Sequence, residues 1–319
     1  MTYIHHARGA ASLSAQQSAP ASIGPVDPNA LGSNQGYTDI EIDFAAEDGT
    51  FWCFLKPQVR PSFTEAILHD LHTMQRRIAE SAARRGASGD QLVRYFVLAS
   101  RTPGVFNLGG DLTLFSRAIR SQDREGLRRY AHSCVESGYL NSVGYNAGVV
   151  TIGLAQGDAM GGGWECLMSC DVLIAEKRAR FALPEVVFNM FPGMGATSYL
   201  TRRLGVVQAE KIIMSGKVYT AEEMHALGAV DLVVEDGEGL QAVQKHIQRS
   251  AARHNAHSAI YAARRRVSPV TLNELRDVAD IWVDAAMLLP EQDLRRMAHI
   301  AAAQDRNRRR VAASAVAAE

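Results

Sequence analysis

The run Gly161-Gly162-Gly163 stands directly before Trp164-Glu165 and behind the apolar stretch Val149 to Leu154, so a strand hands over to a helix through residues that lack a Cβ. Glycines at such a junction let backbone approach a ligand. A helix that begins there points free N–H groups and the positive end of its dipole outward. A second junction lies upstream, where Phe96-Val97-Leu98-Ala99-Ser100 leads into Phe106-Asn107-Leu108-Gly109-Gly110-Asp111-Leu112. Asp111 reads as the cap of a helix starting at Leu112. Two such loops can offer the N–H groups of Gly110 and Gly162 to one oxygen, the arrangement of an oxyanion hole.

Glu165 and Glu185 are separated by an apolar, strand-like stretch, so the chain can fold back and turn both toward one pocket. Like charges held close cannot both ionise easily, so one carboxyl keeps its proton near neutral pH and the pair titrates as a unit. Facing carboxyls of this kind suit acid-base chemistry, with the acid and the base left unassigned between them. The chain has no Gly-x-Ser-x-Gly elbow for an acyl-serine route. Taken singly, a glycine run is a flexible loop and a glutamate a solvated charge. Their joint occurrence with Gly110 carries the functional reading.

Around these residues the sequence reads as α/β. Ile40, Ile42 and Phe44 alternate toward the turn Glu47-Asp48-Gly49-Thr50, and Phe51 to Leu55 returns as the partner strand of a hairpin. The pattern Ser62-x-x-Glu65 reads as a capping box opening a helix that runs to Gly86. Then come a strand at Arg94 to Ala99, helices over Leu112 to Tyr139, the strand Val149 to Leu154, the Glu165 helix, the strand Val172 to Ala175, and Phe181 leading to Glu185. This alternation predicts stacked β-β-α turns, a spiral of sheet and helix. Residues 1–36, rich in Ala, Ser, Gly, Pro and Gln, read as a disordered leader, 37–236 as the core, and 237–319 as a helical region, by itself a cap on one monomer. In that last region helices are expected over Leu240 to Ala251, Leu272 to Leu289 and Glu291 to Arg309, with Ile281-Trp282 and Met287-Leu288-Leu289 placed to wall an acyl tunnel.

With 34 basic and 34 acidic residues among 319, the chain lacks the basic excess of a nucleic-acid binder. No run is apolar enough for a membrane span. Cys53, Cys134, Cys166 and Cys170 form no CxxC pair and read as reduced packing residues of a cytoplasmic protein. His69, His72, His254 and His257 lie amid polar helix residues and read as surface groups, so neither a metal nor any other cofactor is assigned. Arg264-Arg265-Arg266 could meet a phosphate or the acidic face of a carrier protein, or be a solvated helix end. Arg306, Arg308, Arg309 and Arg310 read as a solvated tail.

From Tyr37 to Val234 the order and spacing of these motifs resemble the crotonase (enoyl-CoA hydratase/isomerase) superfamily. Pro192-Gly193-Met194-Gly195 opening a helix, Ala209-Glu210, Ser215-Gly216, Ala221-Glu222 and Gly228-Ala229-Val230-Asp231 add to the likeness. The wording Trp164-Glu165, Ser169-Cys170, Leu183 to Val186 and Phe191 to Ala196 is most similar to bacterial synthases of diffusible signal factors, the cis-2-unsaturated fatty acids of quorum sensing. The resemblance implies a crotonase spiral, Gly110 and Gly162 as hole donors, Glu165 and Glu185 as the catalytic pair, and Gly161, Met194 and Trp282 as substrate contacts. It implies dehydration of a 3-hydroxyacyl thioester on acyl carrier protein or CoA, then hydrolysis of the enoyl thioester to free acid. It also implies a homotrimer or dimer of trimers, with 237–319 as lid and subunit contact, and a sensor kinase as possible regulator. An enoyl-CoA hydratase of fatty-acid breakdown and a non-catalytic scaffold are the alternatives. Trp164 departs from the pattern, placing a bulky ring between the glycine loop and Glu165.

Overall fold

The computed structural model describes residues 31–82 and 91–316, with side chains through Gln304 and at Arg306. A six-stranded sheet has the order β1-β2-β3-β5-β7-β10, from β1 (Ile40–Ala45), β2 (Thr50–Leu55), β3 (Tyr95–Ser100), β5 (Val150–Ala155), β7 (Val172–Glu176) and β10 (Leu232–Val234). The β1–β2 hairpin is antiparallel and every other pairing is parallel. Parallel strands covered on both faces need apolar residues at consecutive positions, and β2, β3, β5 and β7 are buried throughout. Phe51, Cys53, Leu55, Phe96 and Leu98 join the main core. Trp52, Phe54, Tyr95 and Val97 form a second cluster on the opposite face.

A smaller sheet, ordered β4-β6-β8-β9, is built of three-residue strands: β4 (Val105–Asn107), β6 (Asp158–Met160), β8 (Arg180–Ala182) and β9 (Val218–Thr220). Each of β3, β5 and β7 passes into one of these short strands and then into helix. The first turn is followed by α2 (Leu112–Arg120) and α3 (Arg124–Ser142), the second by α4 (Gly162–Met168), and the third by α5 (Ala196–Leu204) and α6 (Val206–Ser215). This is the expected β-β-α spiral. The parallel strands β4, β6 and β8 lie side by side. Neighbouring strands stand about 4.8 Å apart, so the three loops leaving their C-terminal ends are forced together.

Helix α1 (Glu65–Ala82) opens with Thr64, whose Oγ1 accepts from the Ile67 N–H at 3.3 Å. The capping box expected on Ser62 does not form, because Ser62 is buried and its carbonyl receives the Thr64 N–H. The expected extension to Gly86 falls outside the described residues. Leu31 is buried, and the Asn34 side chain bonds both backbone groups of Ile42, which ties these two residues to the core. Residues 1–30 lie outside the described residues. Beyond β9 come α7 (Ala221–Ala226), α8 (Gly239–Ala251), α9 (His254–Val267), α10 (Leu272–Met287) and α11 (Glu291–Val316). Among the described residues no helix is long and apolar enough to cross a membrane.

Candidate active site

The loops after β4, β6 and β8 carry Gly110, Gly162 and Glu185, and all three line one cavity together with Glu165 and Gly161. The loops touch: a Cβ added to Gly109 would stand 3.1 Å from the Gly162 nitrogen, and one added to Gly161 would collide with Glu185 Oε1. Gly161 has φ +49°, which a side chain would strain. Asn107 shapes the first loop, its Oδ1 accepting from the Gly109 N–H at 2.7 Å. Asp111 caps α2 as expected, accepting from Thr113 and Leu114. Neither the Gly110 nor the Gly162 N–H is spent on another backbone carbonyl, since Gly162 is the first residue of α4.

Glu165 lies one turn into α4 and is 1% exposed. Its Oε1 accepts from the Met194 and Ala196 N–H groups, each at 2.8 Å, at the start of α5. Burial pushes this carboxyl up to about 7, against the pull of those N–H donors. Glu185 sits in the 3-10 turn Pro184–Phe188, and its Oε2 is enclosed without a partner. Burial, and after it the charge of Glu165, raise Glu185 well above the ordinary carboxyl range, so the pair resists carrying two charges at once.

Most of the rest of the wall is apolar: Leu108, Leu112 and Phe115 of α2, Phe188, Met194, Trp282 of α10 and Ile300 of α11, with Gln304 beside the last. Phe115 packs edge-on to Trp282 at 4.9 Å and to Tyr130 at 5.4 Å. Tyr130 donates to the Phe63 carbonyl and accepts from the Asp111 N–H at 3.1 Å, pinning the Gly110 loop to α3. The enclosed space is about 50 Å3, room for one or two waters.

A sequence profile described as Enoyl-CoA hydratase/isomerase matches residues 73–287. The chain belongs to that family. Among its relatives, short-chain-enoyl-CoA hydratase of Clostridioides difficile is 39% identical over 100 residues, covering 31% of this chain and 64% of that protein. Human mitochondrial methylglutaconyl-CoA hydratase is 32% identical over 166 residues, covering 52% and 47%. The chain therefore spans less than two thirds of the length of these relatives. The solved enoyl-CoA hydratase of Bacillus halodurans superposes with a TM-score of 0.68 at 19% identity, covering 82% of this chain and all of that one. DspI of Pseudomonas aeruginosa superposes at 0.58 with 24% identity, covering 85% and 99%. Both likenesses are of fold.

Within this family member, the cavity brings together all the residues singled out in the sequence: Gly110, Gly161, Gly162, Glu165, Glu185, Met194 and Trp282. Four neighbouring expectations change. Trp164 is turned away from the cavity and fully buried against Phe181, because its side of α4 faces the core. Ile281 and Leu288 are exposed, so of the proposed tunnel wall Trp282 alone reaches the cavity. His72 is half-buried, bonded to Ser133, and His254 is half-buried edge-on to Tyr95, where burial holds it down to about 4. Arg264 and Arg265 both bind the buried Asp171 at 2.5 Å; Arg265 is largely covered, while Arg264 keeps 47% of its side chain exposed. Tyr130, Phe188, Ile300 and Gln304 were missed, since each lies outside the motifs read in the sequence, and Asn107, inside the Gly109-Gly110 motif, was given no role. All four cysteines are free and buried, and Cys134 lines the cavity. Among the described residues no cluster of His, Cys, Asp or Glu could hold a metal ion.

Proposed function

We propose that the chain eliminates water from a 3-hydroxyacyl thioester by way of an enolate and then hydrolyses the enoyl thioester, releasing a 2-unsaturated fatty acid of the diffusible-signal type. The observation that carries this reading is the enclosure of two carboxyls of unequal proton affinity beside two uncommitted glycine N–H groups in one apolar cavity. Glu165, fixed through Oε1, has Oε2 left to take the α-proton. The enolate oxygen rests on the Gly110 and Gly162 N–H groups, and Glu185 gives its proton to the departing hydroxyl.

That elimination leaves Glu165 protonated and Glu185 ionised, which is the complement needed for the second step. Glu185 then takes a proton from water as the water adds to the carbonyl, and the same two N–H groups hold the tetrahedral oxyanion. Collapse expels the thiolate, which takes the proton of Glu165, and the pair returns to its starting state. No further nucleophile is required. A cavity of about 50 Å3 is too small for a long acyl chain, so binding moves Met194, Trp282 or the Ile300 face of α11.

A second reading, reversible hydration of an enoyl-CoA, is favoured by the names of the relatives in sequence. Purified protein incubated with 3-hydroxydodecanoyl acyl carrier protein, with products followed by mass spectrometry, separates the two. Free 2-dodecenoic acid is expected. Hydration of 2-dodecenoyl-CoA without free acid would replace the proposal by the hydratase, and turnover of neither would leave a non-catalytic binder.

A further inference from the structure

A second cavity lies behind the first, at the far end of α4, and encloses about 410 Å3. Its lining carries four guanidiniums, Arg202 and Arg203 of α5 and Arg264 and Arg265 of α9, against two carboxylates, Asp171 and Asp231. Asp171 has a side chain with no exposed surface. It is held by the Thr151 N–H at 3.0 Å and bracketed by Arg264 and Arg265, one on each oxygen. One carboxylate therefore faces two positive charges. Arg203 pairs with Asp231 at 3.2 Å, and Arg202 with Glu274 at 2.7 Å, so four cations meet three anions and one positive charge is left without a counterion.

Donors are left over as well. Arg264 uses only Nη2 toward protein, Arg265 leaves Nη1, and Arg203 leaves Nε. Tyr199 also lines this cavity, with its hydroxyl turned toward Gly138 of α3. Arg203 and Arg265 are largely covered and Arg264 is half exposed, so these unspent donors give a partly sheltered pocket with a positive excess, to which an anion is attracted. Planar guanidinium forks match the oxygens of a phosphate-type group.

We propose that this cavity is a binding site for a small phosphorylated anion, distinct from the reactive cavity and independent of the activity proposed above. The anion's oxygens take the free edges of Arg264, Arg265 and Arg203. Tyr199, which the ligand would touch, packs its ring on Gly195, where an added Cβ would come within 2.5 Å of Cε2. Gly195 lies between the two residues whose N–H groups hold Glu165, so the site backs directly onto the proposed catalytic pair.

Inorganic pyrophosphate titrated calorimetrically into the full chain at 0.15 M NaCl is expected to bind one per chain. Arg264→Gln should weaken that binding roughly tenfold, the worth of a charge-assisted contact, while Arg265 still neutralises Asp171. Arg264→Lys keeps the charge but not the fork, and should bind several-fold more weakly than the parent; it decides the question if the glutamine variant does not fold. Glu165→Gln should bind as the parent does. Absence of binding to the parent chain, equal binding by both Arg264 variants, or loss of binding in Glu165→Gln would overturn the assignment.

Discussion

Glu165 and Glu185 are carboxyls that the fold keeps from charging together, and this fixes how they respond to substitution and pH. Each is expected to lose roughly 10²- to 10⁴-fold in kcat when changed to Gln, the usual worth of a positioned acid or base, with near-UV circular dichroism unchanged. The stability signature is separate and has a definite sign. Glu165 ionises near 4.5 in an unfolded chain but at about 7 when folded, so between those values the folded chain binds the extra proton. Stability therefore falls as pH rises from about 4.5 to about 7. Glu165→Gln has no charge to acquire, and its Tm should decline less over that window than the parent's. Equal slopes would show that Glu165 is not confined as described. At this scale much was legible in advance, because Gly110, Gly162 and Glu165 lie at glycine turns and Glu185 closes the apolar segment Phe181 to Pro184 that follows. Tyr130 and Asn107 were not, since a lone tyrosine or asparagine has no pattern until its partners are placed.

At the scale of elements, the site is a product of the short sheet, which sequence periodicity does not reveal. Strands β4, β6 and β9 have three residues each, too few for an alternation to register, and β8 was seen only as the approach to Glu185. The long strands and α1 were readable because both sheet faces are buried and α1 carries a full apolar stripe. Helix α9 was read only through its polar residues His254, His257 and Arg264 to Arg266 and given no bounds, for the converse reason: none of its residues is buried, so no stripe exists. Trp282 is where a remote element meets the glycine loops, its ring standing where a Cβ on Gly193 would fall, at 2.5 Å from Cγ. Trp282→Ala should cost about 3 kcal/mol through the space it leaves. It should also raise kcat/KM for longer or branched acyl chains relative to short ones. Stability loss without any change in acyl preference would make Trp282 a packing residue only.

For the whole molecule, the C-terminal region expected as one unit over 237–319 does two jobs on opposite sides of the main sheet. Helix α8 sends the buried Val243 and Ile247 onto the face made by Trp52, Phe54, Tyr95 and Val97, completing the second apolar cluster. Helices α10 and α11 instead lie over α2 and α3. Leu294 and Met297 are buried there, Arg120 meets Glu291, and Ile300 and Gln304 close the cavity. The two parts should be separable by truncation. A chain ending at Asp236 leaves a face of parallel sheet bare and is expected to aggregate, because an apolar surface of that kind does not remain solvated. A chain ending at Pro290 keeps the second cluster whole and loses from the main one only Leu294 and Met297, together with one wall of the cavity. It is expected to retain its far-ultraviolet circular dichroism apart from the lost helix, and to melt several degrees lower. It should bind a hydrophobic dye at the uncovered Phe115 and Trp282 and lose most turnover, as water reaches the carboxyls and lowers their proton affinity. If instead the chain ending at Asp236 folded and the one ending at Pro290 did not, α11 would be part of the folding core and α8 the appendage, the reverse of the division that the burial of Val243 and Ile247 implies.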